Sequence, residues 1–129
     1  MVSLEAAPRD GDEVIDHIGL TARVQGDMIL LRTCIDMFLT DSPRQLAVLR
    51  AALDGGDAAA VACAAHAIKG AVAVFSKGVA YSAAGVIERC GKEHDLARAE
   101  RTYEELGSGI ARLACALDQL ALGQMSTVA

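Results

Sequence analysis

The chain has 129 residues and a formal net charge of −5, with 12 Lys and Arg against 17 Asp and Glu and no basic run. A nucleic-acid footprint needs clustered cations, so a general nucleic-acid binder is disfavoured. Apolar residues make up 53% but aromatics only 3%, and Trp is absent, which favours a single domain of helices packed through small side chains. The first residues show no basic segment followed by an apolar core, and no run approaches the ~18 apolar residues of a membrane span. The expectation is a soluble, cytoplasmic chain.

Residues 1–9 lack periodicity and read as a flexible lead, followed by one domain over 10–121 and a flexible tail over 122–129. Asp10 or Asp12 can cap a short helix running to Leu20, with Val14, Ile15 and Ile18 as its apolar side and Gly19 weakening its end. Gly26 and Asp27 open a second helix, where Leu31, Ile35, Phe38, Leu46, Leu49 and Leu53 keep near-heptad spacing. Pro43, behind the capping residues Asp41 and Ser42, makes this either two stacked helices or one kinked helix. Asp54 to Asp57 read as a turn, with Asp57 capping a helix that runs to about Phe75.

Ser76, Lys77 and Gly78 break the pattern, and Ala80, Ala84 and Ile87 mark another helix from about Val79 to Cys90. Gly91 to His94 form the next turn, and Asp95 caps a last helix in which Tyr103, Leu106, Ile110, Leu113, Leu117 and Leu120 step by three and four. Gly107 and Gly109 lie inside that helix, each costing about 0.5–1 kcal/mol relative to Ala unless a close neighbour requires them. The expected fold is all-α: an up-down-up-down four-helix bundle with a short additional N-terminal helix laid across one end. Cys34, Cys63, Cys90 and Cys115 form no CxxC pair and read as reduced, buried, small apolar residues. Cys63 and His66 stand three apart, as a metal pair on one helix would, but a second pair is missing.

The stretch Ala64 to Phe75 is where chemistry is concentrated. On an ideal helix Val61, Ala65, Ile68, Val72 and Phe75 fall within about 80° of arc, while His66 lies about 140° from the middle of that stripe. The neighbours of His66 on the outer face are Ala62, Gly70 and Ala73, with Lys69 and Lys77 flanking. Two readings stand: a smooth docking patch around a functional imidazole, or a common surface histidine on an Ala-rich helix. No Gly-rich phosphate loop, GxGxxG or Walker pattern is present, so the chain does not read as a kinase. A neutral imidazole offers one nitrogen lone pair to an electrophile, and phosphoryl transfer suits an exposed nucleophile because it demands positioning and charge neutralisation more than a deep pocket. Lys69 can neutralise phosphoryl oxygens, and Gly70 keeps the ground beside the ring flat.

Ala65, His66, Ala67, Ile68, Lys69 and Gly70 stand in the order alanine, histidine, two residues, lysine, glycine. In this the chain resembles the histidine phosphotransfer (HPt) domains of multi-step phosphorelay signalling. The likeness extends to Gly26, Asp27, Phe38, Pro43, Leu46 and Leu49 upstream and to Ile87 and Glu88 downstream, over roughly residues 12 to 121. The resemblance implies that His66 is phosphorylated on Nε2 by an aspartyl phosphate of a receiver domain and passes the group to a second receiver. The partners implied are receivers of hybrid sensor kinases and response regulators, met by a monomeric carrier with no kinase activity. Magnesium would belong to the receiver, leaving this chain with no cofactor and no metal ligand of its own.

Glu88, by the same resemblance, accepts a hydrogen bond from Nδ1 of His66 and holds the tautomer; the other reading makes it a solvated partner of Lys92 at i+4. Docking is expected over Ala62, Gly70, Ala73, Ser76 and Lys77. Relatives usually carry glycine where Ser76 stands; Ser76 can cap that turn, with Gly78 supplying backbone freedom. Lys77, about 20° from His66 around an extended helix, reads either as a second charge beside the phosphoryl group or as a solvated turn residue. Two other functions compete: an HPt-like adaptor that binds receivers without phosphotransfer, and a helical bundle holding a metal or haem through His66 or His17.

Overall fold

A computed structural model describes residues 15–128, and these form five helices with no strand among them. In chain order they are α1 (His17–Val24), α2 (Met28–Asp54), α3 (Ala58–Ala73), α4 (Val79–Lys92) and α5 (Leu96–Val128). The last four close a ring in which α2 packs on α3, α3 on α4, α4 on α5 and α5 back on α2. The all-α bundle with a short extra N-terminal helix is therefore the architecture found.

Carboxylate caps start most of the helices. Asp27 accepts from the amides of Ile29 and Leu30, both at 3.0 Å, Asp57 from Ala60 at 3.1 Å and Asp95 from Arg98 at 3.2 Å. Each satisfies a first-turn N–H that has no carbonyl partner within its helix. Helix α1 differs from the expectation: Asp10, Asp12 and Val14 lie outside the described residues, and the cap is Asp16, which accepts from Gly19 N at 3.0 Å. The reason is tertiary. Asp16 donates its own amide to Phe75 O at 2.8 Å, and Arg23 Nη1 donates to Val74 O at 3.0 Å, so α1 is tied across the end of α3. Gly19 accordingly sits in the first turn, and α1 continues past Leu20 until Gln25 and Gly26 adopt positive φ.

Pro43 lies inside one continuous α2, which removes a single amide from the ladder without ending the helix. The stripe Leu31, Ile35, Phe38, Leu49 and Leu53 is buried, with Ser42 taking a core position between its halves. Helix α3 ends at Ala73, two residues before the expected Phe75, which turns inward and packs edge-on against Phe38 with ring centroids 5.4 Å apart. At the other end of α4 the expected turn glycine, Gly91, proves to be buried helix, and the turn falls on Glu93 and His94, the latter with φ 59°. A side chain at Gly91 would stand 2.7 Å from Ala62 N, so the residue is glycine because α3 and α4 touch there backbone to backbone.

Helix α5 continues through Gly123 to Val128, beyond the expected end at 121, since one interior glycine without a left-handed cap costs too little to stop a helix. Its Leu106, Ile110, Leu113 and Leu117 fill the core. Gly109 is needed where α5 meets α4, a Cβ there falling 3.0 Å from Ala80 N, whereas Gly107 faces open space. On the far side Arg50 holds Glu100 through two hydrogen bonds of 2.7 and 2.6 Å, and Tyr103 donates to Leu46 O at 3.2 Å, joining α2 to α5. Of the four free cysteines only Cys90 is buried; Cys63 and Cys115 are exposed, correcting the reading of all four as core. No described helix is long and apolar enough to cross a membrane.

Candidate functional site

His66 projects from the middle of α3 with 71% of its side chain exposed. The ring is nevertheless held. Its Nδ1 lies 2.9 Å from Oε2 of Glu88, which reaches across from α4 and is itself only 7% exposed. Lys69, one turn along α3, donates from Nζ to the other oxygen, Oε1, at 2.6 Å, and Lys92 Nζ stands 3.4 Å from Oε2. One carboxylate thus binds the imidazole and two ammonium groups. The Lys69 hydrogen bond, opposed by burial and helped by His66 and Lys92, holds the Glu88 carboxyl down to about 2. The same bond raises the Lys69 ammonium above its ordinary value.

An ionised carboxylate only accepts hydrogen bonds, so the nitrogen facing it must carry the proton. In the neutral ring Nδ1–H then donates to Glu88 and Nε2 keeps its lone pair. The arrangement can present a nucleophilic nitrogen to solvent while its orientation is fixed from behind. Among the described residues no group of three or more His, Cys, Asp or Glu is disposed to hold a metal ion. His17 lies exposed on α1, at the helix tied to the end of α3.

The structure brings His66, Lys69 and Glu88 into contact and leaves Gly70 exposed, with nothing within 4 Å of where its side chain would start. Of the other expected docking residues, Ser76 is buried, Ala62 and Ala73 are half-buried and Lys77 is exposed. Ala62 is half-buried against Gly91 of α4, because His66 borders the α3–α4 seam and the residue one turn before it points into that seam. Ser76 is fully buried and cannot form part of a surface; its Oγ accepts from Gly78 N at 3.1 Å, and Gly78 has an ordinary negative φ of −86°. Lys77 comes after the end of α3, so its angle around a continued helix has no meaning; its ammonium lies 5.8 Å from the Tyr81 ring centroid. Ala73 is half-buried at the last position of α3.

Glu88 is neither solvated nor exclusive to one partner: the imidazole contact and the Lys92 contact coexist. Sequence reasoning misses the open groove of about 490 Å³ beside this cluster, lined by Lys69, Tyr81, Ser82, Gly85, Arg89 and Lys92 among others. A signal is present, since Tyr81, Gly85, Glu88 and Lys92 are spaced four, three and four along one side of α4.

Compared with known proteins, a family model described as Hpt domain matches residues 34–121. Among solved structures, the crystal structure of histidine-containing phosphotransfer protein B (HptB) from Pseudomonas aeruginosa PAO1 is similar. It has a TM-score of 0.78 and 24% sequence identity, covering 84% of this chain and 94% of that one. No curated protein matches this sequence.

Proposed function

Because the chain belongs to the Hpt domain family and is thereby a histidine phosphotransfer protein of phosphorelay signalling, we propose that Nε2 of His66 is the atom that carries the phosphoryl group. The group arrives from an aspartyl phosphate of a receiver domain and leaves to the aspartate of another, the receivers belonging to hybrid sensor kinases and response regulators. The chain acts as a cytoplasmic, monomeric carrier with no kinase activity of its own.

The observation that supports this reading is the 2.9 Å contact between Nδ1 of a largely exposed imidazole and a buried, ionised Glu88. In the transfer step the Nε2 lone pair forms the N–P bond while the P–O bond to the aspartyl oxygen breaks, returning a carboxylate to the donor. No proton has to move. The ring gains positive charge as it becomes N-phosphorylated, and Glu88 sits where that charge is shared onto Nδ1–H. Lys69 neutralises the phosphoryl oxygens from one turn away on α3 while tethered to Glu88. Magnesium is supplied within the receiver, so this chain contributes the nucleophile, its orientation and a cation, and Gly70 leaves room for the partner to approach.

The test mixes the protein with phosphorylated receiver domains and monitors transferred label that survives alkali and is lost in acid, as phosphohistidine is. Wild type is expected to take such label and His66→Gln to take none. Label of the same stability in His66→Gln overturns the assignment of His66; a wild-type protein that binds receivers but takes no label makes the chain an adaptor.

A further inference from the structure

The lysines of this chain are three, Lys69, Lys77 and Lys92, and every one of them borders the outer side of α4. That is a marked concentration in a chain whose net charge is −5. Lys69 and Lys92 line the groove beside His66, Arg89 lines it with them, and Glu88 is its one carboxylate. Three cations against one carboxylate leave an excess of two positive charges in the recess. Gly85 keeps the floor of the recess low: a Cβ there would be in ordinary van der Waals contact with Lys69 Cδ, 3.7 Å away. Tyr81 and Ser82 add hydroxyls to the wall.

We infer that this groove on α4 is a second contact for the receiver, taking an acidic segment beside its aspartyl phosphate while His66 engages the phosphoryl group. The inference rests on the function proposed above. Two observations favour this occupant over a free small anion. The groove shares Glu88 with the imidazole, so it adjoins the ring to which a phosphoryl group would be delivered, within reach of a protein-sized donor. The groove is also open, with Arg89 and Lys92 exposed along it, an arrangement suited to steering a charged surface more than to enclosing a molecule. The aspartyl phosphate brings two negative charges of its own, and the several carboxylates needed to hold magnesium beside it bring more, so the receiver's mouth is complementary to this rim. Recognition then spans α3 and α4 together, and α4 selects partners by charge.

The variants Arg89→Glu and Ser82→Glu place negative charge in the groove without touching His66, Lys69 or Glu88, and Arg101→Glu, exposed on α5, changes the net charge as much as the first but elsewhere. Second-order transfer rates are measured from a phosphorylated receiver that labels wild type. At about 10 mM salt, where the screening length is about 30 Å, both groove variants are expected to transfer about tenfold more slowly. The deficit should shrink to about threefold at about 150 mM salt, while Arg101→Glu stays within about twofold of wild type. Groove variants as fast as wild type at low salt, or slowed no more than Arg101→Glu, overturn the inference. So does a saturable shift of the Gly85 and Arg89 amide signals on titration with inorganic phosphate combined with unchanged transfer, which makes the groove a small-anion site. A wild-type protein that takes label from no receiver is a different failure, because it removes the phosphotransfer reading and the groove's role with it.

Discussion

Replacing Gly91 by Ala should loosen the seam on which the site depends. The added Cβ would stand 2.7 Å from Ala62 N, 2.8 Å from Ala58 O and 2.9 Å from Ala62 Cβ, two of the three being backbone atoms that no rotamer change can move. Helix propensity favours alanine by about 0.5–1 kcal/mol, whereas overpacking against backbone this close belongs in the upper half of the usual range, about 2–3 kcal/mol, so the net effect is a loss of about 1–2 kcal/mol. For a domain of this size that lowers Tm by about 4–8 °C. Bringing the 2.7 Å contact out to 3.4 Å requires about 0.7 Å of separation between α3 and α4. Passed on one turn, that would stretch the 2.9 Å bond from His66 to Glu88 toward about 3.6 Å, beyond hydrogen-bond range. Thermal unfolding monitored by circular dichroism reads the first effect, and imidazole 15N shifts, which report the tautomer, read the second. The companion Gly107→Ala, whose Cβ meets nothing within 4 Å, should raise stability by about 0.5–1 kcal/mol. A Gly91→Ala protein melting at or above wild type would refute the reasoning.

Glu88→Gln tests the charge at the centre of the site. The folded-state value of Glu88 lies near 2, below the 4.5 of an unfolded carboxyl, so its contribution to stability is complete above about 4.5 and is lost as pH falls toward 2. Urea midpoints measured from pH 5 to pH 2 should therefore fall less steeply in the variant, and equal slopes would show that Glu88 is not held ionised by its partners. Gly70→Trp is expected to slow transfer from a receiver at least tenfold while leaving the melting temperature at or above that of wild type, since the site is exposed and glycine is a poor helix former. Transfer at the wild-type rate would mean that the partner does not approach over Gly70.

The long helices are legible because their signals are local. Asp27, Asp57 and Asp95 each cap the helix whose apolar stripe they precede, and the stripe from Leu106 to Leu117 needs no tertiary information. The features that the sequence conceals depend on contacts between elements. Asp16 caps the helix that starts at His17 while its amide reaches Phe75, 59 residues away in sequence, a contact no local pattern reveals. Gly91 reads as a turn residue until Ala62 is seen against it, and Ser76 reads as a surface cap until the fold covers it. The same holds within the site. Helical angles place His66 outside the α3 core stripe but carry no information on which side α4 lies. Ala62 therefore falls on the docking face by angle alone, and the cationic groove stays hidden until α4 is in place.

The side chains that carry the chemistry all lie between His66 and Lys92, on one helical hairpin closed by the short connection from α3 to α4. His66 and Glu88 are 22 positions apart, whereas the clasp of Arg50 on Glu100 spans 50. Loop-closure entropy grows with the logarithm of separation, and local contacts form early in folding. The working face is thus the part of the topology that assembles with the least entropic opposition, and α2 and α5 act on it as a brace that secures a hairpin able to register its own imidazole and carboxylate. A single residue inserted within α4 between Ala84 and Glu88 would turn Glu88 by about 100° relative to the start of its helix and carry it away from the ring, while an insertion between Glu93 and Asp95 would leave that registration untouched. The register of Glu88 along α4, facing His66 across the seam, is what the chemistry constrains.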